Sequence, residues 1–436
     1  MLGIEGQQSI NESQSNQLQI MFRPFFVNLL EIFIVKLQLA DNYDEWTDEE
    51  KERLRCYRID IGDTMVYMIS IIGEIMLEFI IKKLLISINQ SIAQAESEQQ
   101  TGDVQKDIKS NHKANNNLWK LQEALIYMLQ SVVSELNESC GTDFVNQQND
   151  QYLIDFVNLL PKINYSNKHI LSTTLLAIGS LGNWLERNTQ VLPNSISLCL
   201  LGLKTDSVTQ SASFALKDII MECDLSQYAD QIISTCQECL KMGLCSAQNY
   251  EVRLMSIIGI CISDLLQVDL DRSLNWLQLI IEPYIIKLDE LGNLKGVIDK
   301  QQQAMTCHVL NMLTQLMSSL IQRQRNYADE SIETSFQSVQ NQSINQNESV
   351  NKSMTNENKA NNEKKIVNSL LVKLIPIYKT IIKRNLPTDL ILIDVSKKIN
   401  IIKITLFSNS FYVLQNDFKF LIIFSCGSLF KTSQTH

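Results

Sequence analysis

Three amphipathic stretches of helical length recur about 40 residues apart, and that recurrence restricts the fold more than any other feature. They are 169–187 (HILSTTLLAIGSLGNWLER), 208–223 (VTQSASFALKDIIMEC) and 251–266 (EVRLMSIIGICISDLL). Each carries a small or branched residue near its middle, Ala177, Ala215 and Ile258, spaced by 38 and then 43 positions. Each is followed by a second apolar-periodic stretch, at 191–203, 225–242 and 270–288. Apolar residues at this spacing define one face of a helix. A short link between two helices makes them antiparallel neighbours. One such pair cannot cover both of its apolar faces, but pairs stacked side by side can.

A two-helix unit repeating about every 40 residues is the HEAT and armadillo pattern. The fold predicted is all-α, an α-α superhelix (a HEAT/armadillo-like repeat solenoid) with disordered polar inserts. Three further pairs extend the array: 19–39 with 49–88, 118–136 with 152–160, and 298–323 with 365–384. Glycine (14) and proline (6) are scarce in 436 residues, which suits helices better than many-turned β folds. Pro161 falls where a helix should stop, and Pro193 falls in the first turn of a second helix, where a missing N–H is harmless. Pro283 lies inside 270–288 and predicts a kink.

The domain reading is a disordered tail at 1–18, the solenoid at 19–398, and a divergent tail at 399–436. Polar inserts at 89–117 and 327–362 are rich in Asn, Gln, Ser, Glu and Lys. They have too little apolar surface to offset the entropy of ordering, so loops are expected there. The last segment is rich in Ile and Phe without a helical stripe and does not continue the repeat.

The net charge of −10 argues against direct nucleic-acid binding, which needs a basic surface, and suits basic protein partners. No secretory leader is visible at the start. No run of apolar residues is long enough for a membrane span, so no membrane insertion is expected. The ten cysteines lack a small-domain framework and read as reduced thiols. Cys236 and Cys239, with Cys223 and Cys245 nearby, come closest to a metal set. Zinc wants four ligands, and a second C-x-x-C is lacking, so these read as small core residues and no metal or cofactor is expected. His112, His169, His308 and His436 assemble into no acid–base set, so the chain does not read as an enzyme. Gly179-x-x-Gly182 reads as close helix packing, and Trp119, Trp184 and Trp276 read as repeat core.

One charged cluster stands out: Asp41, Asp44, Glu45, Asp48, Glu49 and Glu50, with Trp46 among them. Thr47 and Glu50 have the spacing of a helix capping box, followed by one long helix over 49–88. Two readings stand side by side. One is a solvated turn whose acids favour a helix N-terminus. The other is a docking patch for a basic partner, with Trp46 as an aromatic anchor.

The literal strings add a resemblance. Phe22-Arg23-Pro24, then Trp46, Asp48-Glu49, Lys51, Arg53, Tyr57-Arg58-Ile59-Asp60-Ile61 and Asp63-Thr64 resemble the middle of the importin-13 branch of the β-karyopherin nuclear transport receptors. Leu118-Trp119-Lys120, Glu123-Ala124-Leu125, Leu160-Pro161-Lys162-Ile163, Gly182-Asn183-Trp184-Leu185, Cys223 and Ile281-Glu282-Pro283-Tyr284-Ile285 continue it in order. Transportin-3 is the nearest sister. The resemblance implies a HEAT-repeat receptor that shuttles between nucleus and cytoplasm with protein cargo, under control of Ran-GTP and with nucleoporin contacts. It covers about 21–398, and it implies a central portion, so the chain is expected to be a fragment without the N-terminal region that contacts Ran. Val395-Ser396-Lys397-Lys398-Ile399 stands where the transportin-3 branch has an Arg-rich helix, which counts against that branch's cargo. A HEAT scaffold without transport activity is the alternative reading.

Overall fold

A computed structural model describes residues 12–100, 108–139, 147–243, 249–293, 301–302 and 304–320. In chain order the helices are α1 (Glu12–Leu37), α2 (Asp48–Ile72), α3 (Glu74–Gln100), α4 (Ile108–Ser139), α5 (Gln147–Leu159), α6 (Lys168–Gly179) and α7 (Gly182–Arg187). They continue with α8 (Leu192–Leu203), α9 (Thr209–Glu222), α10 (Ala229–Gly243), α11 (Asn249–Val268), α12 (Leu270–Asn293) and α13 (304–320). Among the described residues there is no strand. The fold is all-α, built of packed helix pairs of the α-α solenoid type.

Contacts divide the chain into two compact units, one up to Cys223 and one from Asp224. In the first, α2, α4, α6 and α9 pack in succession, each on the next. Behind them α3 packs on α4 and α5, α5 on α8, and α8 on α6 and α9. Taken pairwise in chain order the layers are α2 with α3, α4 with α5, and α6 with α8, and α1 lies against α2 and α4. Leu30, Met65, Ile80, Leu84, Leu125, Phe156, Ile170 and Trp184 fill the core between them. In the second unit α11 packs on both α10 and α12. Helix α13 crosses α11 closely: the Ser256 and Ser319 hydroxyls lie 2.7 Å apart. A Cβ on Gly259 would stand 2.6 Å from the Leu316 carbonyl oxygen.

The repeat positions read from the sequence are core positions. Ala177, Ala215 and Ile258 are each at most 1% exposed. Gly179 serves the packing assigned to it, since a Cβ there would lie 2.8 Å from Cα of Ala215. The helices on either side of that position differ from expectation, however. The stretch 169–187 is two segments, with the backbone breaking at Ser180 and Leu181, so the two glycines straddle a break.

The stretch 49–88 is also two helices. Gly73 adopts φ 53° and ψ −132°, which L-residues rarely adopt, and it separates α2 from α3. Apolar residues keep a helical spacing on both sides of it, so periodicity alone does not reveal the turn. Two segments expected to lack structure are partly helical. Helix α3 continues to Gln100 and α4 begins at Ile108, within the insert at 89–117, and α1 begins at Glu12. Propagating an existing helix costs little once it is nucleated, and Ala, Glu and Gln after Ile92 are good helix formers. Helix α12 runs through Pro283 to Asn293. The insert at 327–362, the pair half at 365–384, Val395–Ile399 as read above and the tail at 399–436 lie outside the described residues.

Candidate functional site

The acidic cluster sits on the connection from α1 to α2 and on the first turn of α2. Thr47 caps α2 as its sequence predicts. The Glu50 amide donates to Thr47 Oγ1 (3.3 Å), and the Thr47 amide donates to Glu50 Oε2 (2.9 Å), which completes a capping box. Tyr43–Glu45 form one 3-10 turn ahead of the cap.

That turn is held down on the helices behind it. The Asp44 carboxylate accepts from Lys168 Nζ (2.8 Å) and lies 3.0 Å from His169 Nε2, both at the start of α6. Lys51 Nζ donates to the Asp44 carbonyl (3.1 Å). The Lys168 hydrogen bond, with help from His169, holds the Asp44 carboxyl below the usual carboxylate range. Asp41 forms an ion pair with Lys120 of α4. Aromatic rings fill the space below. The Tyr43 ring meets His169 edge-on at 5.2 Å, and His169 stacks on Trp119 at 6.2 Å. Partial burial raises the Tyr43 hydroxyl.

Deeper still is a buried ion pair. Arg58 of α2 donates twice to Glu123 of α4, at 2.8 and 3.0 Å, and the Glu123 side chain is 1% exposed. Thr173 of α6 donates to the same carboxylate (2.7 Å). The Arg58 guanidinium lies 4.0 Å over the Tyr127 ring. Both bonds leave one nitrogen, Nη2, so the pair is charge-assisted without the two-nitrogen fork of the strongest Arg–carboxylate contacts.

The seven residues singled out from the sequence therefore divide, with Asp41 paired to Lys120 of α4. Asp44 is committed to α6 and Glu50 to the capping box. Trp46 is half-buried, packs on Tyr43 at 5.6 Å and donates its indole N–H to Asn42 (3.1 Å). Glu45, Asp48 and Glu49 are exposed. Periodicity and charge did not point to Tyr43, Lys168, His169 or Thr173 as parts of this arrangement. For Arg58, Trp119, Lys120 and Glu123 a signal does exist, in the family-like strings quoted above. Trp119 and Trp276 are half-buried rather than core, whereas Trp184 is core. The Trp184 and Trp276 indoles donate to Asp150 (2.7 Å) and Asp230 (2.6 Å) respectively.

Among the described residues Cys199, Cys261 and Cys307 are buried and Cys56 is exposed. Cys223 and Cys236 are buried, and burial pushes the Cys236 thiol up. Cys239 is half-buried, and Cys245 lies outside the described residues. His308 Nε2 is 2.5 Å from the buried Glu251. His436 and the side chain of His112 are outside the described residues. No described helix is long and apolar enough to cross a membrane.

The Importin 13 repeat family matches residues 40–74, which is the turn, the capping box, the whole of α2 and the break at Gly73. Importin-13 of Gallus gallus is 26% identical over 306 residues, covering 69% of this chain. Importin-13 of Homo sapiens and of Mus musculus match to the same extent. The chain resembles importin-13. Its matched part spans 28% of the length of those relatives. The family match falls on the stretch that carries Thr47 and Glu50, which cap α2, and Asp44 and Arg58, which reach α6 and α4.

Proposed function

We propose that this chain acts as an importin-13-like nuclear transport receptor, binding protein cargo for passage through nuclear pores. The observation that carries the reading is the similarity to importin-13 over 306 residues, on a stack of paired helices. A stack of this kind offers a long surface that adjusts through many small inter-repeat movements, so one partner's binding is coupled to another's release. By analogy with such receptors, Ran-GTP would govern cargo binding, nucleoporins would be contacted, and the protein would shuttle between nucleus and cytoplasm. Its net charge of −10 favours basic cargo.

For cargo docking we assign the patch Asp44, Glu45, Trp46, Asp48, Glu49 and Glu50. Within it Glu45, Asp48 and Glu49 are the acids whose exposure leaves them open to a basic segment, and Asp44, Trp46 and Glu50 position them.

The test is a pull-down comparing Ran loaded with GTP and with GDP, alongside a basic cargo peptide. Preferential binding of the GTP form, with release of the peptide, is expected. Reversing charge at Glu45, Asp48 and Glu49 together should weaken peptide capture and leave Ran binding intact. Recovery from cells of a stable partner complex indifferent to nucleotide, with no capture of Ran, would replace this reading with the scaffold alternative.

A further inference from the structure

In a solenoid each layer ordinarily touches the next and no further. The α1–α2 connection departs from that rule. It leaves the first layer, pairs through Asp41 with Lys120 of α4 in the second, and reaches α6 in the third, where Asp44 meets Lys168 and His169. The rings of Tyr43, His169 and Trp119, one from each of these three layers, meet beneath it. A second chain of contacts runs parallel below it, from Arg58 through Glu123 to Thr173, again one residue from each layer.

We infer that the segment 40–47 is a salt-sensitive strap that locks the first three helix layers into one stiff block. The inner and outer chains differ in kind. Arg58 and Glu123 are shielded from solvent, with side chains 10% and 1% exposed, and salt scarcely screens such a pair. The Asp44 and Lys168 side chains are 60% and 47% exposed, so dissolved ions compete with them directly. Asp41 is still more open. The charged group that meets His169 is Asp44 on the connection, which Lys168 on the same helix also holds. The outer chain is thus an electrostatic fastening over a permanent inner one. Loosening it leaves the layers packed while freeing them to pivot. This inference does not depend on the transport reading.

Hydrogen–deuterium exchange on the whole chain tests it. In the native protein, raising salt from about 0.05 to about 0.5 M should speed exchange in 40–47 and in the first turn of α6 roughly two- to fivefold. The core of α4 around Leu125–Leu129 should not respond. Asp44→Asn should give the same acceleration of the first turn of α6 at low salt and remove its salt response, while 40–47 keeps only the smaller response of the Asp41–Lys120 pair. Exchanging the charges, Asp44→Lys with Lys168→Asp, should restore part of the protection. Two outcomes overturn the inference. One is a native protein whose exchange ignores salt. The other is an Asp44→Asn variant that accelerates 40–47 while α6 stays protected, because the segment would then be a passive cover.

Discussion

At the scale of single residues, Arg58 and Asp44 show how burial changes the worth of a charge. The carboxylate of Glu123 is sealed from water and answered by Arg58 and Thr173. Removing one partner from a buried pair leaves the other uncompensated, at a cost of about 3–5 kcal/mol. Arg58→Met should therefore lower the unfolding midpoint markedly in denaturant titration, and adding Glu123→Gln should recover part of the loss. Asp44 is mostly exposed, so its ion pairs contribute at most about 1 kcal/mol. Its carboxyl is held below the usual range in the folded chain. A depressed folded value means that the stabilisation is complete above the unfolded pKa, near 4. It is lost as pH falls through the folded value. The difference in unfolding midpoint between the native chain and Asp44→Asn should be constant at neutral pH, begin to shrink near pH 4 and vanish only below the folded value. A difference that persists there would show that Asp44 acts by geometry and not by charge.

At the scale of elements, the helix pairs are legible in the sequence and the breaks are not. Stripes at 208–223, 225–242 and 251–266 predict α9, α10 and α11 closely, because burial of one face dictates the spacing of apolar residues. Gly73 leaves no comparable trace, since the stripe is as regular beyond it as before. What marks it is a backbone angle of 53° that a sequence does not display. Substituting Gly73→Ala should cost about 1–3 kcal/mol in unfolding free energy, since a side chain is strained at that φ and ψ. An unchanged midpoint would mean that α2 and α3 can join into one straight helix without loss. The site was half legible for a related reason. Thr47 and Glu50 act across three residues and announce themselves. Asp44 and His169 meet across a separation of 125 positions, which depends on how layers stack and not on any local spacing. The acidic run alone thus overstates the exposed patch, because partners distant in sequence occupy part of it.

At the scale of the whole molecule, stability in stacked helices is a sum of units and of the surfaces between neighbours. The chain divides at Cys223 and Asp224 into two compact units. The first draws on the Arg58–Glu123–Thr173 chain, and the second on contacts of its own, such as Ser256 with Ser319 and the pair of Asp230 with Arg272. A defect planted in the first unit should therefore stay largely within it. Hydrogen–deuterium exchange of Arg58→Met measures how far the damage travels. Exchange should rise most in α2 and α4, less in α6, and least in α9. Protection in α11 and in 304–320 should match that of the native chain. Uniform loss of protection from α2 to 304–320 would mean that the chain melts as one cooperative body. The additive account would then fail, and with it the idea that layers in such a stack adjust one by one to successive partners.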